Sequence, residues 1–263
     1  MYLDWLNNAP IWALGVILLV ALLVSAVIGR AIRPWTHPRD SDSNGEGYSV
    51  SAILGLMALL TGFTFSLAID RFETRRQLVL EHANAIGTAY LRIQLLPEPH
   101  RARLSGLINE YTDNIIALAN APPGTNGPLL ARDDAILTRL WAATKAGYHS
   151  IQSLPFAGVF VASINSLVDM DGARRAARSA RVPVEVFAVL LIYLIGTAGV
   201  LGLVLKSRRG LFIAFFLLVL LTLSQLLILD IERATTGTIR ESQRPMEDLR
   251  ASLKHQPPAV FDQ

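Results

Sequence analysis

The sequence predicts an all-α membrane protein of 263 residues: four spanning helices in two hairpins, with a helical extramembrane domain inserted between spans two and three. Three observations carry this. Charged residues make up only 17%, and their scarcity is local. Residues 5–29, 47–69, 186–205 and 210–229 contain no Asp, Glu, Lys or Arg, and each run matches the roughly 20 apolar residues that cross a hydrocarbon core. No alternation of period two is long enough for a strand, whereas apolar positions at helical spacing recur between spans two and three. Pro97, Pro99, Pro155 and Pro183 fall between the helical segments. A soluble single-domain enzyme is thereby excluded. With no cysteine, so are disulfides, thiolate metal sites and cysteine catalysis. A net charge of +3 gives no case for nucleic acid.

Span one, about 8–30, has only Asp4 as a charge before it and an apolar run longer than a signal h-region, so it reads as a retained helix. Trp5, Trp12 and Trp35 are its interfacial anchors. Loop 30–46 leads to span two, 48–69. Spans three, 186–205, and four, 210–229, are joined by Lys206, Ser207, Arg208 and Arg209 alone. Two hairpins put the N-terminal end, the insert 70–185 and the tail 230–263 on one side of the membrane. Charge does not say which side. The density of Arg30, Arg33, Arg39, Lys206, Arg208 and Arg209 in short loops favours one orientation. The larger number of arginines flanking the insert and tail favours the other.

No breaker interrupts 48–96, so span two and the start of the insert read as one helix roughly 70 Å long. Pro97 and Pro99 end it. Over 101–120, Leu104, Leu107, Ile108, Tyr111, Ile115 and Leu118 mark a buried helical stripe. A proline-glycine turn at 121–128 separates it from helices over 129–153 and 159–180, with Pro155 between them and Pro183 before span three.

The chemistry of catalysis is missing. His37, His82, His100, His149 and His255 are scattered without metal-ligand spacing, and no phosphate loop or nucleophile elbow occurs. No cofactor or metal is expected. Gly196, Gly199 and Gly202 read as helix-packing positions. Asp133 and Asp134 read as acids at a helix beginning. Tyr193, Thr197, Ser224 and Gln225 read as hydrogen-bonding groups between spans.

Span two is the informative element. At about 100° per residue, Ser51, Gly55, Leu59, Gly62, Phe63, Ser66 and Asp70 share one stripe. Small residues let membrane helices approach closely, which is one reading. The other is a pore face, wetted at Gly55 and Ser66 and constricted at Leu59 and Phe63 by dewetting. Around an axis, Asp70, Arg71, Arg75 and Arg76 would form the pore mouth, with Glu73 leaving a weak positive excess and a weak bias towards anions.

The stretch LTGFTFSLAIDRFETRR at 60–76 resembles the second transmembrane helix of bestrophins. EHANAIGTAYLR at 81–92 and LDIERATTGTIRESQRPM at 229–246 resemble the bestrophin-like family of bacterial and plant membrane proteins. The resemblance implies a homopentameric ion channel with span two around the pore and a hydrophobic neck at Phe63 and Leu59. A third neck position falls on Gly55, which cannot form an apolar ring. It implies an acidic exit from span four at Asp230 and Glu232, without the acidic run that forms the calcium clasp of animal bestrophins, so calcium activation is not expected. It also implies that the termini and insert are cytoplasmic, in a bacterial inner membrane. The partners are other copies of the chain, lipid and permeant ions of unspecified sign. The competing reading is a non-conducting sensor or scaffold whose helical insert binds a ligand or partner.

Overall fold

The computed structural model describes residues 9–36, 43–122, 124–205, 207–234 and 236–262. Trp5, His37, Arg39 and Lys206 lie outside them. Eight α-helices follow in order among the described residues: α1 (Ile11–Thr36), α2 (Ser43–Ile93), α3 (His100–Asn120), α4 (Gly127–Ile151), α5 (Ala157–Ser179), α6 (Val184–Val204), α7 (Arg208–Glu232) and α8 (Arg244–His255). A 3-10 turn, Pro258–Asp262, comes last. No strand occurs among the described residues. The stretches long and apolar enough to cross a membrane are Ile11–Trp35, Gly47–Ile93, Ala157–Val204, which contains α6, and Arg208–Glu232. The chain is an integral membrane protein.

Both ends of α2 differ from the sequence reading. α2 stops at Ile93, three residues early, because Gln94, Leu95 and Leu96 close a final turn on the Leu91, Arg92 and Ile93 carbonyls before the prolines. Its start is five residues early, at Ser43, inside the stretch that reads as a flexible loop.

The helices sort into two compact units. The first comprises 1–72 and 181–240, the second 73–180 and 241–263. The tail is therefore divided: residues through Arg240 belong to the first unit and those from Glu241 to the second.

In the first unit α1 packs most closely on α6. A Cβ added to Gly29 would lie 2.0 Å from the Gly199 carbonyl oxygen, and one at Gly202 1.9 Å from that of Ala26. Ser25 Oγ donates to the Ile195 carbonyl at 2.7 Å beside this crossing. Lipid tails are as apolar as leucine, so such backbone contact, and not apolar burial, is what holds membrane helices together. Leu22, Met57, Leu190, Leu194, Ala198 and Leu218 fill the core around it. In the second unit the latter part of α2 packs with α3, α4, α5 and α8. The core is built on Ile86, Tyr90, Ile108, Tyr111, Leu140, Phe160 and Met246. Of the stripe read in 101–120, Leu104, Leu107, Ile108, Tyr111 and Ile115 are buried and Leu118 half-buried.

Candidate functional site

Every residue of the α2 stripe, Ser51, Gly55, Leu59, Gly62, Phe63, Ser66 and Asp70, is exposed. Leu59 and Phe63 are 52% and 62% exposed. A Cβ at Gly55 or Gly62 would meet nothing within 4 Å. The opposite face does the packing within the protomer. Met57, Thr64 and Ala68 are buried there, and Thr61 Oγ1 accepts a hydrogen bond from Gln225 Nε2 of α7 at 3.2 Å. The glycines that permit close helix approach are those of α1 and α6, whereas the stripe's small residues face outward.

Asp70, the last residue of the stripe, is exposed and forms no hydrogen bond or ion pair with described residues, while Arg71 is half-buried. Arg76 is exposed and forks onto Glu73, Nε to Oε2 at 2.9 Å and Nη2 to Oε1 at 2.7 Å. That fork holds the Glu73 carboxyl below its ordinary range. Arg75 departs from the sequence reading. It is buried, in register with the buried positions Val79, His82 and Ile86. Its Nε lies 4.0 Å from Glu241 Oε2, whose other oxygen accepts from Arg178 Nε and Nη2 at 3.1 and 2.9 Å. Arg75 belongs to the interior of the second unit and not to a mouth.

At the α7 exit, Asp230 accepts from the Thr238 amide at 2.8 Å, the Thr238 hydroxyl and the Ile239 amide at 3.2 Å. Glu232 Oε2 accepts from the Val182 amide at 3.0 Å. The turn needs Gly237, because a Cβ there would lie 2.4 Å from the Asp230 carbonyl oxygen and 2.7 Å from that of Arg233. Gly237→Ala is expected to destabilise the protein by about 1–3 kcal/mol. The thermal midpoint of the purified variant measures this, and an unchanged midpoint would contradict it.

The second unit holds a buried polar chain that sequence reasoning missed. Arg174 Nη1 donates to His82 Nδ1 at 3.1 Å. A guanidinium can only donate, so Nδ1 carries the lone pair and Nε2 the proton. Nε2 faces the Tyr111 hydroxyl at 2.9 Å, and Tyr111 donates its own proton to Asp171 Oδ1 at 3.1 Å. Arg175 then joins three carboxylates: Asp171 at 2.7 Å through Nε, Asp134 at 2.8 Å through Nη1, and Asp133 through Nη2. Asp133 is fully buried within α4 and also accepts from Asn114 Nδ2 at 3.0 Å. It anchors helices and does not cap one.

Burial and the Arg174 charge push the His82 pKa down to about 3. Burial and the neighbouring Asp133 push Asp171 up to about 6. Their effects on stability have opposite signs. As pH falls from 6.5 towards 3 the unfolded chain gains a proton at His82 that the fold refuses, and stability is lost. As it falls from about 6 to 3.8 the fold takes a proton at Asp171 first, and stability is gained. Glutamine at 82 can still accept from Arg174 and donate to Tyr111, but it cannot titrate. His82→Gln is therefore expected to gain about 2 kcal/mol relative to the parent between pH 6.5 and 4.5. Melting at the two pH values tests it, and a constant difference between the two proteins would refute the assigned protonation.

The bestrophin-like domain family matches residues 15–246, most of the chain. The chain belongs to the bestrophin-like family. The fold of this bestrophin-like chain is also that of solved membrane proteins. A crystal structure of a variant bacterial bestrophin homologue from Klebsiella pneumoniae aligns with a TM-score of 0.63 and 16% identity, covering 97% of this chain and 100% of that one. A variant described as a membrane protein aligns with a TM-score of 0.65 and 14% identity, covering 91% and 97%. No curated protein matches the sequence. The polar chain in this bestrophin-like protein carried one signal in the sequence: His82 and Arg174 stand in register with buried apolar positions, Val79 and Ile86 for the first and Ile164 and Leu167 for the second.

Proposed function

We propose that this bestrophin-like protein is the subunit of a homopentameric ion channel. In this reading α2 lines the pore and Leu59 and Phe63 form a hydrophobic neck. The observation that carries it is the exposure of two large apolar side chains, one helical turn apart, on a face of α2 that the protomer leaves uncovered. Around an axis they make two apolar rings about 6 Å apart, the kind of constriction that gates by dewetting. Gly55 and Ser66 widen and wet the path on either side. Asp70, with Arg71 and Arg76, lies beyond it. The helical insert, the tail and both termini are read as cytoplasmic, in a bacterial inner membrane. Asp230 and Glu232 hold the turn after α7, since their oxygens accept from backbone amides and Thr238. That role is structural.

Ion flux through purified protein in liposomes, under opposed sodium and chloride gradients, tests the reading, with subunit number from native mass in parallel. Five copies and a current altered by neck substitutions support it. A dimer removes the pore, because two helices cannot enclose one. Silence across pH and voltage from folded, inserted protein returns the sensor or scaffold reading.

A further inference from the structure

We infer that Asp70 gives the conduction path a preference for cations, an inference that rests on the pore reading of α2. Asp70 follows Phe63 by seven residues, so on a helix it lies within about 20° of the same direction and about 10 Å further along. It is the first charge the stripe presents, since 47–69 contain none. No described residue on its face pairs with it. Helical ion pairs form three or four residues apart, and those positions hold Leu67, Ser66, Glu73 and Thr74.

The three arginines that in the sequence suggest a weak anion bias are disposed otherwise. Arg71 is turned about 100° from Asp70 and is half-buried. Arg75 is buried against Glu241. Arg76 is taken up by the fork onto Glu73. The charge in line with the neck is therefore a carboxylate with no partner among the described residues. Repeated around an axis it becomes a ring of carboxylates, the arrangement that draws cations and repels anions. Low-dielectric walls beside the ring concentrate its field within the lumen.

The chain has no cysteine, so one thiol can be placed at will and the charge read without any current. With Ser66→Cys, a cationic methanethiosulfonate is expected to react about fivefold faster than an anionic one of equal size. The preference is expected to disappear in the Ser66→Cys, Asp70→Asn double variant. Equal rates, or a preference that survives Asp70→Asn, would overturn the inference. In liposomes the reversal potential should follow the cation gradient, shift towards zero in Asp70→Asn and cross to the anion side in Asp70→Lys. A parent current that follows chloride overturns the cation preference and leaves the channel standing. Silent liposomes, with the thiol preference intact, overturn the channel and leave the charge of this face established.

Discussion

Replacing Phe63 by alanine is expected to raise ion flux through the assembled protein by roughly threefold or more. The benzyl side chain is the larger of the two apolar groups on the stripe and the more exposed, at 62% against 52% for Leu59. A short apolar ring impedes ions because water leaves it before an ion can enter, so trimming the ring to methyl groups lets water, and then ions, remain. Leu59→Ala should act in the same direction with a smaller effect, and the double variant should leak most. Native mass of each variant completes the experiment. If Phe63→Ala loses its assembly while flux per pentamer stays constant, the side chain packs between subunits and the neck lies elsewhere.

The second large effect concerns two glycines of one helix. Alanine is ordinarily better than glycine inside a helix by about 0.5–1 kcal/mol, and Gly196→Ala should show that gain, because a Cβ there meets nothing within 4 Å. Gly202→Ala should do the reverse. Its Cβ would stand 1.9 Å from the Ala26 carbonyl oxygen and 2.6 Å from the carbonyl carbon. These are backbone atoms that no rotamer change can move, so α1 and α6 must separate. A loss of about 3 kcal/mol or more is expected, read as a lower melting midpoint and a smaller monodisperse fraction in detergent. Equal behaviour of the two variants would mean that the crossing does not hold the unit together.

Much of the fold is legible in the sequence because a bilayer asks for something simple, a run without charge. Spans two and four read from composition alone fall within α2 and α7, and span three overruns α6 by one residue, Leu205. All the periodic apolar positions read in α3 except Leu118 are ones that the second unit buries. What composition does not supply is direction. Asp70, Arg71, Glu73, Arg75 and Arg76 form one charged collar in the sequence, yet they point several ways: Arg75 inward to Glu241, Arg76 back to Glu73, Asp70 outward. The partner that claims Arg75 lies over 160 residues further along the chain, beyond the reach of any local pattern. The same holds for His82 and Arg174, whose contact joins α2 to α5. A polar residue standing in an apolar register is the local sign of such a contact. Which residue answers it is decided only when the helices are packed.

The crossing of α1 and α6 also bears on how the chain is made. Ser25 and the carbonyl it bonds, that of Ile195, are 170 residues apart in sequence. At the usual 5–20 residues per second of synthesis, α1 waits roughly 10 to 30 seconds in the bilayer before its partner is translated. During that interval its glycine face lacks the helix it packs against in the folded protein. A ribosome stalled ahead of α6 would therefore leave α1 without the helix that its Gly29 face meets in the folded protein.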